Sequence, residues 1–393
     1  MLADCCRLSF AVTFVGSAAM ARIIVGMSGG VDSSLAACLL EEEGHEVVGV
    51  TLKLWPCAEQ DGGFTREDAC CSPTETIDAR AVAQLQGIKH YVFDAEEAFR
   101  RGVVDDFLAS YARGETPNPC VRCNETIKFG DLWTQADSLD ADAVGTGHYA
   151  RVVQKGDRLV LGVSADRMKD QTYFLFSLTQ DQLARARFPL GNLTKDQVRT
   201  MAADRLLPTA HKQESQDICF VGEGGTEGFL RQEMPDAFRP GAVVHINGTV
   251  LGEHQGLNAY TIGQRRGLGV AWTEPLFVIK LDMETNTVVL GERPYLDVHA
   301  AVLRECTWHL GPLPAHGLRA LVRNRYRMRP ISATLYPGEG RAAVVIFDQP
   351  AMAPSAGQAC VVYDEAEELC LGGGWFERII AEREEALALL PVA

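Results

Sequence analysis

Through residue 145 the chain alternates short apolar runs with longer helical stretches, and this alternation constrains the fold more than any other feature. Arg22–Met27 reads as a buried strand, 28–34 as a loop, and Ser34–Glu43 as a helix with Leu35, Leu39 and Leu40 on one face. Gly44 stops that helix. Strands follow over Glu46–Leu52 and Ile88–Phe93, with helices over Thr76–Gln86, Glu96–Tyr111 and Ile127–Leu139. A last short strand, Ala143–Val144, runs into the turn 145–149. Strands separated by helices imply a parallel sheet covered on both faces. Ligands of such sheets bind beyond the carboxyl ends of the strands, where the loops 28–34 and 145–149 both fall.

The texture changes after Cys219. Residues 240–292 carry short alternating runs rich in Gly, Val and Thr, with an Asn247-Gly248 hairpin signal, and 298–376 continue as short strands between turns. The expected architecture is α/β: a parallel-sheet domain over 20–219, a small β-rich middle domain over 220–295 and a C-terminal β-barrel over 296–385. Thr194 and Gln197 predict a capping box for a helix over Thr194–Arg205. The first nineteen residues are unlike the rest. Leu8–Ala19 is mostly apolar and ends in small residues, but the only basic residue ahead of it is Arg7, opposed by Asp4. An extension ahead of a start at Met20 is expected, rather than a secretory signal. No apolar run reaches the roughly 18–20 residues that cross a bilayer, so no membrane role is expected. A net charge of −15 argues against non-specific binding along nucleic acid and leaves room for a local basic site.

Ser28-Gly29-Gly30-Val31-Asp32-Ser33 lies between a strand and a helix. There the backbone N–H groups and the helix N-terminus converge on an anion, and the serine hydroxyls can donate to phosphate oxygens. Asp32 can hold Mg²⁺. The lack of a Gly-Lys-Ser/Thr ending excludes the nucleotide loop of motors and G proteins. The string SGGVDSS instead matches the pyrophosphatase-type loop (PP-loop) of enzymes that cleave ATP to AMP and pyrophosphate.

Twelve cysteines in a chain of this length, without a convincing signal, fit a reducing cytoplasm rather than a disulfide framework. Cys38, Cys360 and Cys370 lie in apolar runs and read as core. Cys120 and Cys123 form a C-x-x-C within the proline-rich loop 116–124, and Cys219 lies about a hundred residues on. The pair reads as a redox couple, half of a zinc site, ligands of an iron–sulfur cluster or two unconnected thiols. Arg122 is a nearby positive charge able to favour thiolate.

SGGVDSS, TPNPCVRCN, TGHYA, KDQTYFL and ESQDICF occur in this order, followed by GEHQGLNAYTIGQRRGLG, VRNRYR, GQACVVY and LGGGWFE. Together, over residues 22–377, they resemble the tRNA-specific 2-thiouridylases. The resemblance implies a PP-loop fold (adenine nucleotide α-hydrolase-like) and ATP-dependent replacement of the carbon-2 oxygen of the tRNA wobble uridine by sulfur, through an adenylated intermediate. It implies ATP binding by Gly26, Met27, Ser28, Gly29, Gly30, Val31, Asp32 and Ser33, with Leu52 and Gly147 lining the site. It makes Cys123 the nucleophile and Cys219 the cysteine that receives sulfur as a persulfide. It places Asn118, Pro119, Cys120, His148, Lys169, Asp170, Gln171, Arg325, Tyr326 and Gln358 against tRNA. The implied partners are tRNA and a sulfur donor, either a cysteine desulfurase, a relay protein or sulfide.

In much of this family an aspartate stands where this chain has Cys120. Two mechanisms follow. In one, Cys219 carries a persulfide, Cys123 acts on it or on the activated base, and Cys120 is spare. In the other, favoured slightly on sequence, Cys120, Cys123 and Cys219 hold a 4Fe–4S cluster whose open iron binds hydrosulfide. Arg319, Arg323, Arg325, Arg327 and Arg329 share one parity, so a strand through 319–329 would turn all five to one face for phosphate contact. Rival readings are another PP-loop enzyme forming amide or C–N bonds, and a non-catalytic tRNA- or metal-binding module.

Overall fold

The computed structural model describes residues 20–55, 73–213, 218–222, 224–382 and 384–385. The extension 1–19, Cys57, Cys70, Cys71 and residues 214–217 of the ESQDICF motif lie outside the described residues. Its first sheet has five parallel strands in the order Lys89–Asp94, Glu46–Lys53, Arg22–Gly26, Ala143–Gly145, Ala186–Arg187. The central strand alternates its side chains between two cores. Ile23 and Val25 face the helices Val31–Glu42 and Lys195–Asp204, while Ile24 packs with Val48, Val144, Leu132 and Ala136 on the other face. Strand order reverses direction on either side of Arg22–Gly26, so the crevice between its carboxyl end and that of Ala143–Gly145 is the switch point at which such sheets bind ligands. Thr194 and Gln197 form the expected capping box.

Two expectations fail at the next level. The C-x-x-C does not lie in a loop. Asn118 Oδ1 accepts from the Val121 N–H at 3.3 Å and Pro119 occupies the first turn, so a helix starts at once over Pro119–Cys123. It passes into a wider π-helical segment, Asn124–Asp131, and ends as Leu132–Ser138. The proline signal that reads as extended chain is here a helix start. The arginine stripe is also not one strand. Leu318–Arg323 ends in a turn, Arg319 is paired with Asp348 and Glu365, and Arg323 with Glu367. Strand parity therefore does not hold beyond 323, and carboxylates already claim these first two arginines.

The middle region forms a four-stranded sheet over Gly241–His245, Val250–His254, Phe277–Asp282 and Thr287–Gly291. The final region is a closed six-stranded antiparallel barrel. Its strands are Asp297–Trp308, Ala343–Met352, Ile331–Pro337, Leu318–Arg323, Ala359–Tyr363 and Leu369–Ile380, with the first and last paired. The hairpin Ala150–Lys155/Arg158–Val163, which follows the first sheet in sequence, joins the barrel sheet through Leu161↔Cys370 and Gly162↔Leu369. Among the described residues no helix is long and apolar enough to cross a membrane.

Candidate functional site

The phosphate loop is built by serine hydroxyls and glycine backbone. The Ser28 N–H donates to Ser33 Oγ at 3.1 Å, and the hydroxyls of Ser33 and Ser34 donate to the Gly30 carbonyl at 3.2 and 2.8 Å. Gly29 has φ +74°, and a Cβ there would lie 2.2 Å from the Glu75 carbonyl oxygen. Met27 and Val31 are buried anchors on either side, Met27 through its N–H to the Val50 carbonyl at 2.8 Å and its carbonyl to Thr51 Oγ1 at 2.7 Å. A Cβ on Gly147 would stand 2.6 Å from the carbonyl carbon of Asp32 and from the Ser33 nitrogen. Only a glycine lets the 145–149 turn press against this helix start. Between them lies a cavity of about 200 Å³, lined by Gly26, Ser28, Leu52, Gly147 and His148, with Lys128 at its wall.

Asp32 does not offer a carboxylate to a metal ion. Lys195 Nζ donates to both of its oxygens at 2.8 Å, and the Tyr149 hydroxyl donates to Oδ1 at 2.8 Å. Lys195 is buried, and Asp32 and its two donors sit beside the anion-binding helix start. Ion pairing leaves the loop without net negative charge, which suits a polyphosphate better than a divalent cation on Asp32. Lys212 reinforces the loop from outside, donating to the Gly29 carbonyl at 3.2 Å and to Asp78 at 2.6 Å. Sequence reasoning missed Lys128, Lys195 and Lys212, because a lysine's burial and partner are tertiary facts without a local signature.

The residues expected to meet tRNA differ in burial. His148 is buried between Phe129 and Phe188, with Nδ1 2.8 Å from Thr146 Oγ1. Burial, and then the charge of Lys128, hold its imidazole well below the ordinary histidine range, so it is neutral at physiological pH. Asp170 is buried too, accepting from the Ser164 N–H at 2.9 Å and Thr172 Oγ1 at 2.6 Å, and burial raises its pKa. Both are held within the fold by these hydrogen bonds. Gln171 lines the cavity beside the phosphate loop and accepts from the Tyr149 N–H at 2.9 Å, while Lys169 is half-buried. Arg325 donates to the carbonyls of Ile262 and Ala353 at 3.2 and 3.3 Å, bridging the middle region to the barrel. Tyr326 packs on Phe174 with ring centroids 4.5 Å apart. Gln358 is half-buried, and among the described residues its Oε1 has no hydrogen-bond partner.

Cys123 and Cys219, distant in sequence, join one apolar cluster. Buried Cys123 belongs to a core with Phe99, Phe107, Ile127 and Phe220, and half-buried Cys219 packs against it. Phe107 and Phe220 meet edge to face at 5.3 Å, closing the cluster. Leu54 belongs to this cluster, Leu52 packs against it, and both also line the cavity beside the phosphate loop, so the two share a wall. Cys120 is exposed. Among the described residues no group of three or more His, Cys, Asp and Glu side chains stands close enough to hold a metal ion. The set Cys120, Cys123 and Cys219 thus does not fit a 4Fe–4S cluster here. Arg122, expected to favour thiolate, is instead neutralised by Glu125 and Glu305 at 2.9 Å each and Asp106 at 3.5 Å.

Known proteins match this chain along most of its length. A family model described as a tRNA methyl transferase HUP domain matches residues 21–223, one described as a tRNA methyl transferase PRC-barrel domain matches 227–292, and one described as an aminomethyltransferase beta-barrel domain matches 298–376. The chain is similar to proteins named tRNA-specific 2-thiouridylase MnmA. That of Bartonella henselae is 45% identical over 361 residues, which cover 90% of this chain and 87% of the relative. That of a Bradyrhizobium species is 45% identical over 379 residues and 94% of each chain. That of Geobacter metallireducens is 45% identical over 363 residues, 92% of this chain and 98% of the relative.

Proposed function

The chain belongs to the family of tRNA-specific 2-thiouridylases, ATP-dependent enzymes that thiolate tRNA uridine, and from that membership we propose a sulfur relay from Cys219 through Cys123 to the wobble uridine. The observation that carries the proposal is the shared wall: Leu52 and Leu54 lie between the nucleotide cavity and the cluster holding both thiols. The methyl-transfer wording of two family models describes a different chemistry. A serine- and glycine-built anion loop next to two thiols fits adenylation followed by sulfur transfer.

ATP enters the cavity with Mg²⁺ as the counter-ion of its phosphates. The loop N–H groups and the Val31–Glu42 helix start hold the phosphates. The uridine carbon-2 oxygen attacks the α-phosphorus, the bond to the β-phosphate oxygen breaks, and pyrophosphate leaves. The adenylated oxygen is now a good leaving group. A donor of persulfide sulfur, of cysteine-desulfurase or relay type, loads Cys219 as Cys219–S–SH. The Cys123 thiolate attacks the inner sulfur, forming a Cys123–Cys219 disulfide and releasing hydrosulfide. Hydrosulfide adds to carbon 2 and AMP departs. A cellular dithiol then supplies two electrons and two protons to restore the thiols. Working thiols of this kind fit a cytoplasmic setting.

The test measures pyrophosphate release and 2-thiouridine formation on unmodified tRNA with a persulfide donor, followed by mass spectrometry without reductant. Relay predicts tRNA-dependent pyrophosphate release, thiouridine, and a Cys123–Cys219 disulfide after one turnover. An amide-forming relative would release pyrophosphate without thiouridine, and a binding module would release none. Either result refutes the reading.

A further inference from the structure

The barrel grips the helix that carries the thiols, and it does so at a place where its own backbone is distorted. The pairing of Asp297–Trp308 with Leu369–Ile380 shifts register between Arg304 and Thr307, the mark of a bulge. Glu305 sits in that bulge at φ +53°, a conformation costly for a residue with a side chain. Three consecutive glycines opposite make room for it. A Cβ on Gly372 would lie 1.9 Å from the Thr307 oxygen, and one on Gly374 would lie 2.6 Å from Cys306 Sγ. The next residue, Trp375, is buried with its ring 4.2 Å beneath the Arg122 guanidinium carbon. Bulge, glycines and tryptophan together form a seat, and Arg122 fills it.

Arg122 is largely buried, with 14% of its side chain exposed, and its Nη1 lies 2.9 Å from Glu305 and 2.9 Å from Glu125. It sits on the Pro119–Cys123 helix, one residue before Cys123. Val121 on the same helix packs in a core with Ala359, Val361 and Trp375 of the barrel. The approach to the helix is fixed as well, because the Thr116 N–H donates to the Ala356 carbonyl at 2.8 Å. A buried ion network adds little net stability compared with apolar packing, but it defines one geometry. A strained glutamate held in such a network points to placement rather than to stability.

We propose that Arg122 and Glu305 are positioning residues that fix the Cys123 helix against the barrel and so set the place of the Cys123 sulfur for its step. This rests on the reading of Cys123 as the attacking thiol. Displacement of a reacting group by about 1 Å costs on the order of a hundredfold in rate.

The experiment compares Glu305→Gln, Arg122→Met, Arg122→Lys and the double variant in single-turnover thiolation, pyrophosphate release, thermal melting and site-resolved alkylation of Cys123. The expected result is a ten- to hundredfold loss of the thiolation rate, by analogy with misplaced catalytic groups, with pyrophosphate release and the KM for ATP held within about twofold. The double variant is no worse than the worse single, as coupling requires. Cys123 alkylation changes its rate while Cys120 alkylation does not. Should Arg122→Met fail to fold, with its carboxylates left unpaired, the near-isosteric Glu305→Gln decides. Unchanged thiolation in Glu305→Gln overturns the proposal, and so does a parallel fall in thiolation, pyrophosphate release and melting temperature. A fully active Cys123→Ser protein would instead sink the thiol reading on which the proposal rests.

Discussion

The nucleotide cavity and the thiol cluster share Leu52 and Leu54 but are built in opposite ways. The cavity centres on one contiguous loop and one turn, Ser28–Ser33 and Gly147, held by short hydrogen bonds and glycines that admit close backbone contact, with Leu52, Lys128 and Gln171 completing its walls. The thiol cluster is made from side chains of four sequence regions, with its key helix held by a barrel some two hundred residues downstream. A loop that must present N–H groups is specified locally. A thiol can be placed by whatever surrounds it, and here much of that surrounding is tertiary.

The contrast is broken most severely at the thiols. Cys123→Ser and Cys219→Ser should each lower thiouridine formation about a thousandfold or more, as removal of a nucleophile does, while tRNA-dependent pyrophosphate release persists. Loss of both activities together would mean that the two sites are not separable. On the cavity side, Lys195→Met leaves the Asp32 carboxylate without its bidentate cation. A weakening of ATP binding by about ten- to hundredfold is expected from a carboxylate left uncompensated beside phosphate, and titration calorimetry reads it directly. Gly147→Ala forces a methyl against the Asp32 and Ser33 backbone. It should cost about 1–3 kcal/mol in stability from overpacking, visible in urea unfolding, and raise the KM for ATP.

The smallest effect concerns pH. His148 is held neutral by burial, whereas an unfolded histidine protonates near about 6.5. The unfolded chain therefore binds more protons below that value, and this contribution to stability is present above it and lost as pH falls. Unfolding curves of His148→Gln between pH 7 and 5 should fall less steeply than those of the parent. An equal slope would place His148 in solvent and undo its assignment to the cavity wall.

The same division governs what could be read before the structure. The SGGVDSS loop, its strand and its helix were legible because phosphate binding needs particular residues in a row. The capping box at Thr194 was legible for the same reason. The Pro119–Cys123 helix was misread as loop because Pro117 and Pro119 carry both meanings, and only Asn118 capping Val121 distinguishes them. The arginine parity failed because the strand stops at Arg323 and Asp348, Glu365 and Glu367 lie within reach, facts held in other strands. That Cys219 would share a core with Cys123 followed from family likeness and not from spacing. Asp32 was assigned to Mg²⁺ because nothing near it in sequence announces Lys195.

The hairpin Ala150–Lys155/Arg158–Val163 finds its neighbouring strand only at Leu369 and Cys370. During synthesis it must therefore wait with one border unsatisfied while some two hundred further residues leave the ribosome. A nascent chain halted before that point carries a sticky, half-finished sheet. Substitutions along Leu369–Ile380 should accordingly show their first harm as lower yield in the cell.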